Sequence, residues 1–180
     1  MSRGIPLPIL LGGPSGSGKS SLGQFLEGQG WLHLEADRSG TNGIDDLGLH
    51  EVWDSFDKRC DPGSLAQELE RRRVDAGRIR VILTLPSTPL SATHLERAAG
   101  VLLIRFLAGP PEACLRSFMK REAAANEAHW NAHNKCIIAA LNDPAYARHK
   151  IVAFHEDGHT RVTKEVLGQR LFELSMPSDV

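Results

Sequence analysis

Five short apolar runs punctuate the chain, at residues 5–11, 31–36, 79–85, 101–107 and 151–154. Runs of this length, bounded by glycine, proline and polar turns, predict strands. Pro6 and Pro8 fall near the start of the first run, where a missing N–H does least harm. Between the runs, apolar residues recur at helical spacing. A helix is predicted from Lys19 to about Glu27, stopped by Gly28 and Gly30. Residues 38–48 are polar and glycine-rich and read as loop. Leu49, Val52, Trp53 and Phe56 then share one helix face. Cys60-Asp61-Pro62-Gly63 breaks that helix, and Ser64 is placed to cap another reaching about Ala76, with Leu65, Leu69 and Val74 inward. Pro86 to Pro89 forms a turn, followed by a short helix carrying Leu95. Pro110 and Pro111 suit the first turn of a helix containing Cys114, Leu115 and Phe118. Residues 119–141 are helical in tendency and end at Asn142-Asp143-Pro144. Thr163 caps a last helix, packed by Val166, Leu167, Leu171 and Phe172. Strands alternating with helices at this spacing imply right-handed crossovers and a parallel sheet covered on both faces. There is no internal repeat, low-complexity segment or linker, so 1–180 reads as a single domain. Residues 38–63 and 119–145 are its two long excursions and the candidate moving parts.

Composition narrows the partners. With 21 basic and 22 acidic residues in 180, the formal net charge is −1. Such a balance supplies no overall field for nucleic acid or an anionic membrane. No apolar run approaches the length of a membrane span. The N-terminal apolar stretch is too short, and too soon interrupted by glycine, for a signal peptide. Cys60, Cys114 and Cys136 are far apart and lack zinc-site spacing, so they read as reduced thiols. The expectation is a cytoplasmic protein, monomer or homodimer.

One motif carries explicit chemistry. Gly13-Pro14-Ser15-Gly16-Ser17-Gly18-Lys19-Ser20 fits G-x-x-x-x-G-K-[ST], between a predicted buried strand and a predicted helix. Glycines let successive N–H groups turn inward onto phosphate oxygens, and the helix adds its positive end. In this pattern the Lys19 ammonium reaches the β- and γ-phosphates and the Ser20 hydroxyl ligates Mg²⁺. Ser21, next on the helix, joins the binding candidates. The loop therefore predicts a nucleoside triphosphate, ATP, with Mg²⁺.

The loop does not name a reaction; the acids near it narrow the choice. The third strand ends Thr84-Leu85-Pro86 without an acid, whereas the second ends Glu35-Ala36-Asp37. Ligands bind at the carboxyl ends of such strands. Asp37 is thus a candidate to accept a proton from a substrate hydroxyl, or to hold Mg²⁺ through water. Glu35 shares its face and is the second candidate.

These features resemble the small P-loop kinases of the nucleoside-monophosphate-kinase type, gluconate-kinase-like and shikimate-kinase-like members above all. The matching residues are the loop at 13–20, Glu-Ala-Asp at 35–37 and Leu-Pro-Ser-Thr-Pro-Leu at 85–90. The strand, helix and basic stretch from Leu102 to Arg121, and the terminal Asp157-Gly158 with Thr163, complete the resemblance. It implies a three-layer P-loop NTPase fold with a five-stranded parallel sheet of order 2-3-1-4-5 and helices on both faces. It implies an acceptor-binding insertion at about 38–63 and a lid at about 119–145. Arg116, Lys120 and Arg121 fall near the lid's start as phosphate-binding candidates, with Arg121 the first choice because guanidinium binds phosphate bidentately. The Asp-x-Asp pair of shikimate kinases reads Glu-x-Asp in this chain, and no His closely follows Asp37 as in gluconate kinases.

The expected activity is ATP-dependent phosphoryl transfer to a hydroxyl of a small metabolite. A nucleoside or nucleotide acceptor would call for an arginine-lined pocket in 38–63, which holds Arg38, Lys58 and Arg59 against five aspartates. A regulatory P-loop domain with little turnover is the third reading, compatible with the missing acid on the third strand. His129 and His133 read as a polar helix face rather than a zinc pair. Arg71-Arg72-Arg73 reads as a solvated face paired with Glu68 and Glu70.

Overall fold

A computed structural model describes residues 6–37, 43–122 and 126–176. The strands are β1 (Ile9–Gly12), β2 (Leu32–Glu35), β3 (Val81–Thr84), β4 (Leu103–Ala108) and β5 (Lys150–Val152). They pair in parallel in the order β2-β3-β1-β4-β5, as the resemblance implies. The helices are α1 (Lys19–Gly28), α2 (Gly43–Asp46), α3 (His50–Arg59), α4 (Pro62–Asp75), α5 (Ala92–Arg97), α6 (Pro111–Arg121), α7 (Glu127–Leu141) and α8 (Lys164–Ser175), with a 3-10 turn at Pro144–His149.

Alternating side chains of the buried strands feed two cores. Leu10, Leu83, Ile104 and Phe106 face Phe56, Leu65, Leu69 and Leu95 on one side of the sheet. Ile9, Leu11, Ile82 and Leu107 face Leu22, Leu26, Leu167 and Leu171 on the other. Helix α7 contributes to both, Ile137 and Leu141 to the first and Trp130 to the second.

Several local expectations are corrected. The described part of the 38–48 loop contains α2, while Arg38 to Asn42 lie outside the described residues. Asp61, not Ser64, caps α4: its carboxylate accepts from the Gly63 N–H, and Pro62 takes the first turn, where its missing N–H costs nothing. The predicted inward positions Val74, Val166 and Phe172 are exposed. Val166 and Phe172 each adjoin a member of the buried pair Leu167 and Leu171 on α8, and Val74 lies five residues beyond Leu69 on α4, well round the helix from the buried Leu65 and Leu69. Phe172 instead lies under the buried Arg80 guanidinium, 4.2 Å from its ring centroid. Phe154, expected in the fifth strand, makes an isolated antiparallel bridge to Arg161.

Candidate active site around the phosphate-binding loop

Residues 13–18 run from β1 into α1. Gly13, Gly16 and Gly18 have φ of 134°, 85° and 105°, values that side chains beyond glycine rarely adopt. At Gly16 a Cβ would stand 2.0 Å from the Cys114 carbonyl oxygen, so the loop packs directly against α6. Helix α1 starts at Gly18 with no side-chain cap, which leaves its first N–H groups for an anion. Ser17 Oγ is buried and has no hydrogen-bond partner among the described residues. An orphaned hydroxyl inside an uncapped helix start suits a ligand oxygen.

Lys19 is 3% exposed. Its Nζ donates to the carbonyls of Gly13 (2.9 Å) and Pro14 (3.2 Å) and pairs with Asp37 Oδ2 at 3.0 Å. All three ammonium donors are engaged by the loop and the end of the second strand. Glu35, two positions back, turns to Ser20, whose Oγ donates to Glu35 Oε1 at 3.0 Å. Thr84 Oγ1 lies 2.9 Å from the same carboxylate oxygen. The two acids therefore divide the loop between them. Glu35 stands against the Ser20 hydroxyl, and Asp37, the first candidate of the two, stands against the Lys19 ammonium. At the end of β3, where the sequence has no acid, Thr84 stands beside Glu35 of the neighbouring β2.

The far side of the loop is fastened to α7. Asn134 Oδ1 accepts from the Ser15 N–H (2.7 Å), and the Trp130 indole Nε1–H donates to the Ser15 carbonyl (3.0 Å). Asn134 Nδ2 in turn donates to the Trp130 carbonyl at 2.8 Å. Both side chains are almost fully buried. Ser15 Oγ meets Ser87 Oγ at 3.0 Å. Neither Asn134 nor Trp130 was anticipated from the sequence; a polar residue recurring on a helix carries no signal of what it touches 119 positions away. Replacing Asn134 with leucine leaves the Ser15 N–H unpaired, a cost of about 1–3 kcal/mol for a buried donor. The expected result is a melting temperature lower by several degrees and nucleotide affinity weakened about tenfold. Thermal unfolding with and without ATP measures both.

On the third side, Arg161 donates to the carbonyls of Gly16 and, at 2.8 Å, Ser17, and lies over the Phe154 ring, 4.7 Å from its centroid. Burial pulls its pKa below the ordinary guanidinium value, and the charge of Arg121 acts in the same direction. Arg161 also escaped the sequence reading, because no motif distinguishes it from other loop arginines. It walls a cavity of about 420 Å³ beside Gly16, Ser17 and Gly18, together with Ser21, Lys120, Arg121 and Lys164. Among the described residues, no carboxylate lines that space. Arg121 is exposed and pairs with Glu122 at 3.0 Å, and Arg116 donates to His159 Nδ1 at 2.9 Å. Of the three basic candidates, Lys120 and Arg121 border the cavity and Arg116 turns to the 155–160 turn. Cys114, beneath the loop, has its thiol pushed up to about 11 by burial. His129 and His133 stack at 5.9 Å on the exposed face of α7, and no group of three metal-ligating side chains occurs among the described residues.

No protein-family model matches the chain, and no curated protein matches it in sequence. Solved structures do match. A gluconokinase from Sinorhizobium meliloti is 18% identical over 96% of this chain and 95% of that one, with a TM-score of 0.52. Shikimate kinase from Acinetobacter baumannii, in complex with shikimate, is 20% identical over 96% and 93%, with a TM-score of 0.51. A tunicamycin resistance protein from Deinococcus radiodurans is 14% identical over 95% and 97%, with a TM-score of 0.52. At such identities the likeness is one of fold: the chain has the architecture of the small P-loop kinases over nearly its whole length. Among the described residues, no helix is long and apolar enough to cross a membrane.

Proposed function

We propose that this chain is an ATP-dependent, Mg²⁺-using kinase that transfers the γ-phosphoryl group to a hydroxyl of a small metabolite. The observation that carries this reading is the division of the two strand-end acids, Glu35 on Ser20 at 3.0 Å and Asp37 on Lys19 at 3.0 Å. One carboxylate beside the metal-ligating hydroxyl and a second beside the phosphate-binding ammonium is an arrangement for transfer rather than for binding alone. The Gly13–Ser20 loop, the orphaned Ser17 hydroxyl and the cationic cavity fit a triphosphate, and the Ser20–Glu35 pair fits its hard divalent ion. When bound, Mg²⁺·ATP supplies the phosphoryl group and the charge neutralisation. Lys19 holds phosphate oxygens, Glu35 orients Ser20, and Asp37 positions the acceptor hydroxyl and takes its proton.

Lys120 and Arg121, at the end of α6, are the cations we assign to closing over the phosphates; Arg116 supports the 155–160 turn. Since α7 is bonded to Ser15, closure of the 119–145 lid would centre on the α6 end. In the 38–63 insertion, proposed to bind the acceptor, Lys58 is already paired with Asp54 at 2.5 Å, which argues for an acceptor without phosphate. The reading is tested by following ADP formation from ATP against a panel of sugars, polyols and amino alcohols, with nucleosides and nucleotides as a separate arm. Acceleration of ADP release by at least one metabolite, about a hundredfold over ATP alone, is the expected result. Tight ATP binding with no acceleration by any acceptor would leave a regulatory domain instead.

A further inference from the structure

Behind Glu35 lies a second layer of polar groups that the phosphate loop itself does not require. Thr84, at the end of β3, is fully buried. Its Oγ1 is 2.9 Å from Glu35 Oε1, 3.3 Å from the Leu34 carbonyl and 3.1 Å from His33 Nε2. A threonine hydroxyl has one hydrogen to give. The carboxylate takes it, because that contact is the shortest and is charge-assisted. The imidazole must then donate to the hydroxyl oxygen, which fixes His33 with a proton on Nε2. The order is His33 Nε2–H to Thr84 Oγ1–H to Glu35 Oε1, and Ser20 Oγ–H meets the same oxygen from the other side at 3.0 Å. His33 Nε2 is 3.7 Å from Glu35 Oε2, within ion-pair reach for a protonated imidazole but beyond a hydrogen bond, so the hydrogen-bonded path from His33 to Glu35 runs through Thr84.

The imidazole occupies space that α1 leaves open for it. A Cβ at Gly23 would stand 2.3 Å from His33 Nε2 and 2.5 Å from two ring carbons. Glycine inside a helix costs about 1 kcal/mol against alanine. At this position, one turn after Lys19, that cost admits the ring beneath the loop.

We propose that His33 and Thr84 are positioning residues that fix the Glu35 carboxylate against Ser20 and thereby set how tightly the loop holds the nucleotide's divalent ion. The inference rests on the reading of Ser20 and Glu35 as the Mg²⁺ side of the site. Loss of such an outer partner typically weakens a metal site by about 10–100-fold.

The test is ATP binding measured as a function of Mg²⁺ concentration, with melting temperatures of the ligand-free proteins as the control for folding. Thr84→Val keeps the shape and removes the hydroxyl; His33→Leu removes the donor; His33→Gln returns a donor near the place of Nε2. Thr84→Val and His33→Leu are each expected to raise the Mg²⁺ midpoint about tenfold. The double variant should be no worse than either single one, because both break one chain. His33→Gln should recover most of the shift, and ATP binding without metal should stay as in the wild type. An unmoved midpoint, or additive shifts accompanied by equal loss of metal-free binding, would overturn the proposal and leave both residues as core packing. A wild-type chain whose ATP binding ignores Mg²⁺ would overturn the underlying site reading as well, and that failure is visible without any variant.

Discussion

Lys19→Ala will give a folded protein that no longer retains ATP. The ammonium is held by two loop carbonyls and Asp37, so it is pre-positioned at the mouth of the loop and has only to exchange partners when phosphate arrives. Each charge-assisted hydrogen bond it forms to phosphate contributes about 1.5–3 kcal/mol. Two such bonds correspond to a loss of roughly 10²- to 10⁴-fold in affinity. The loss is compounded because Asp37 then keeps its negative charge beside the phosphates without a counter-ion. Stability should fall by about 1–3 kcal/mol, since the buried ammonium leaves the Gly13 and Pro14 carbonyls without their donor, while the Asp37 side of the pair is partly open to solvent and adds little. Titration with ATP, alongside thermal unfolding of the ligand-free protein, checks both parts. An ATP affinity within threefold of the wild type would place the nucleotide elsewhere than at Gly13–Ser20.

What the chain announces about itself follows the range of its interactions. The loop motif is contiguous, and its meaning survives in one dimension. The strands are runs of buried aliphatic residues, and the order β2-β3-β1-β4-β5 was accessible through a resemblance rather than through any property of a single strand. Local competition was harder to foresee. Asp61 and Ser64 are both acceptable caps, and the chain uses Asp61 because Pro62 then occupies the first turn. Long-range partners were not legible at all. Ser15 meets Asn134 across 119 positions and Ser17 meets Arg161 across 144, and nothing near Asn134 or Arg161 marks them. The pair of acids lay between these cases. Alternation along the second strand places Glu35 and Asp37 on one face, but which of them meets Ser20 depends on where α1 starts relative to β2. The geometry assigns Glu35 to the hydroxyl and Asp37 to the ammonium, which separates two tasks that the sequence alone assigned to Asp37 together.

That separation makes Asp37→Asn the most informative single change once an acceptor is known. Asparagine keeps the shape and a carbonyl oxygen for the Lys19 ammonium, but it no longer takes a proton. A positioned general base contributes typically about 10²–10⁴-fold to the rate, so kcat should fall within that range. ATP affinity should hold or tighten by a few fold, because Lys19 is released from a charged partner and one negative charge leaves the vicinity of the γ-phosphate. Glu35→Gln should behave differently, raising the Mg²⁺ requirement while metal-free ATP binding is spared. Opposite movement of kcat and ATP affinity in Asp37→Asn is a signature that a scaffolding role does not produce, since damage to the loop would weaken both. If kcat and affinity fell together, Asp37 would be a structural partner of Lys19 and the proton would have to go to another group. If neither changed, the Lys19–Asp37 contact would be a resting-state pair, released on nucleotide binding, and the case for phosphoryl transfer would lose the observation on which it stands.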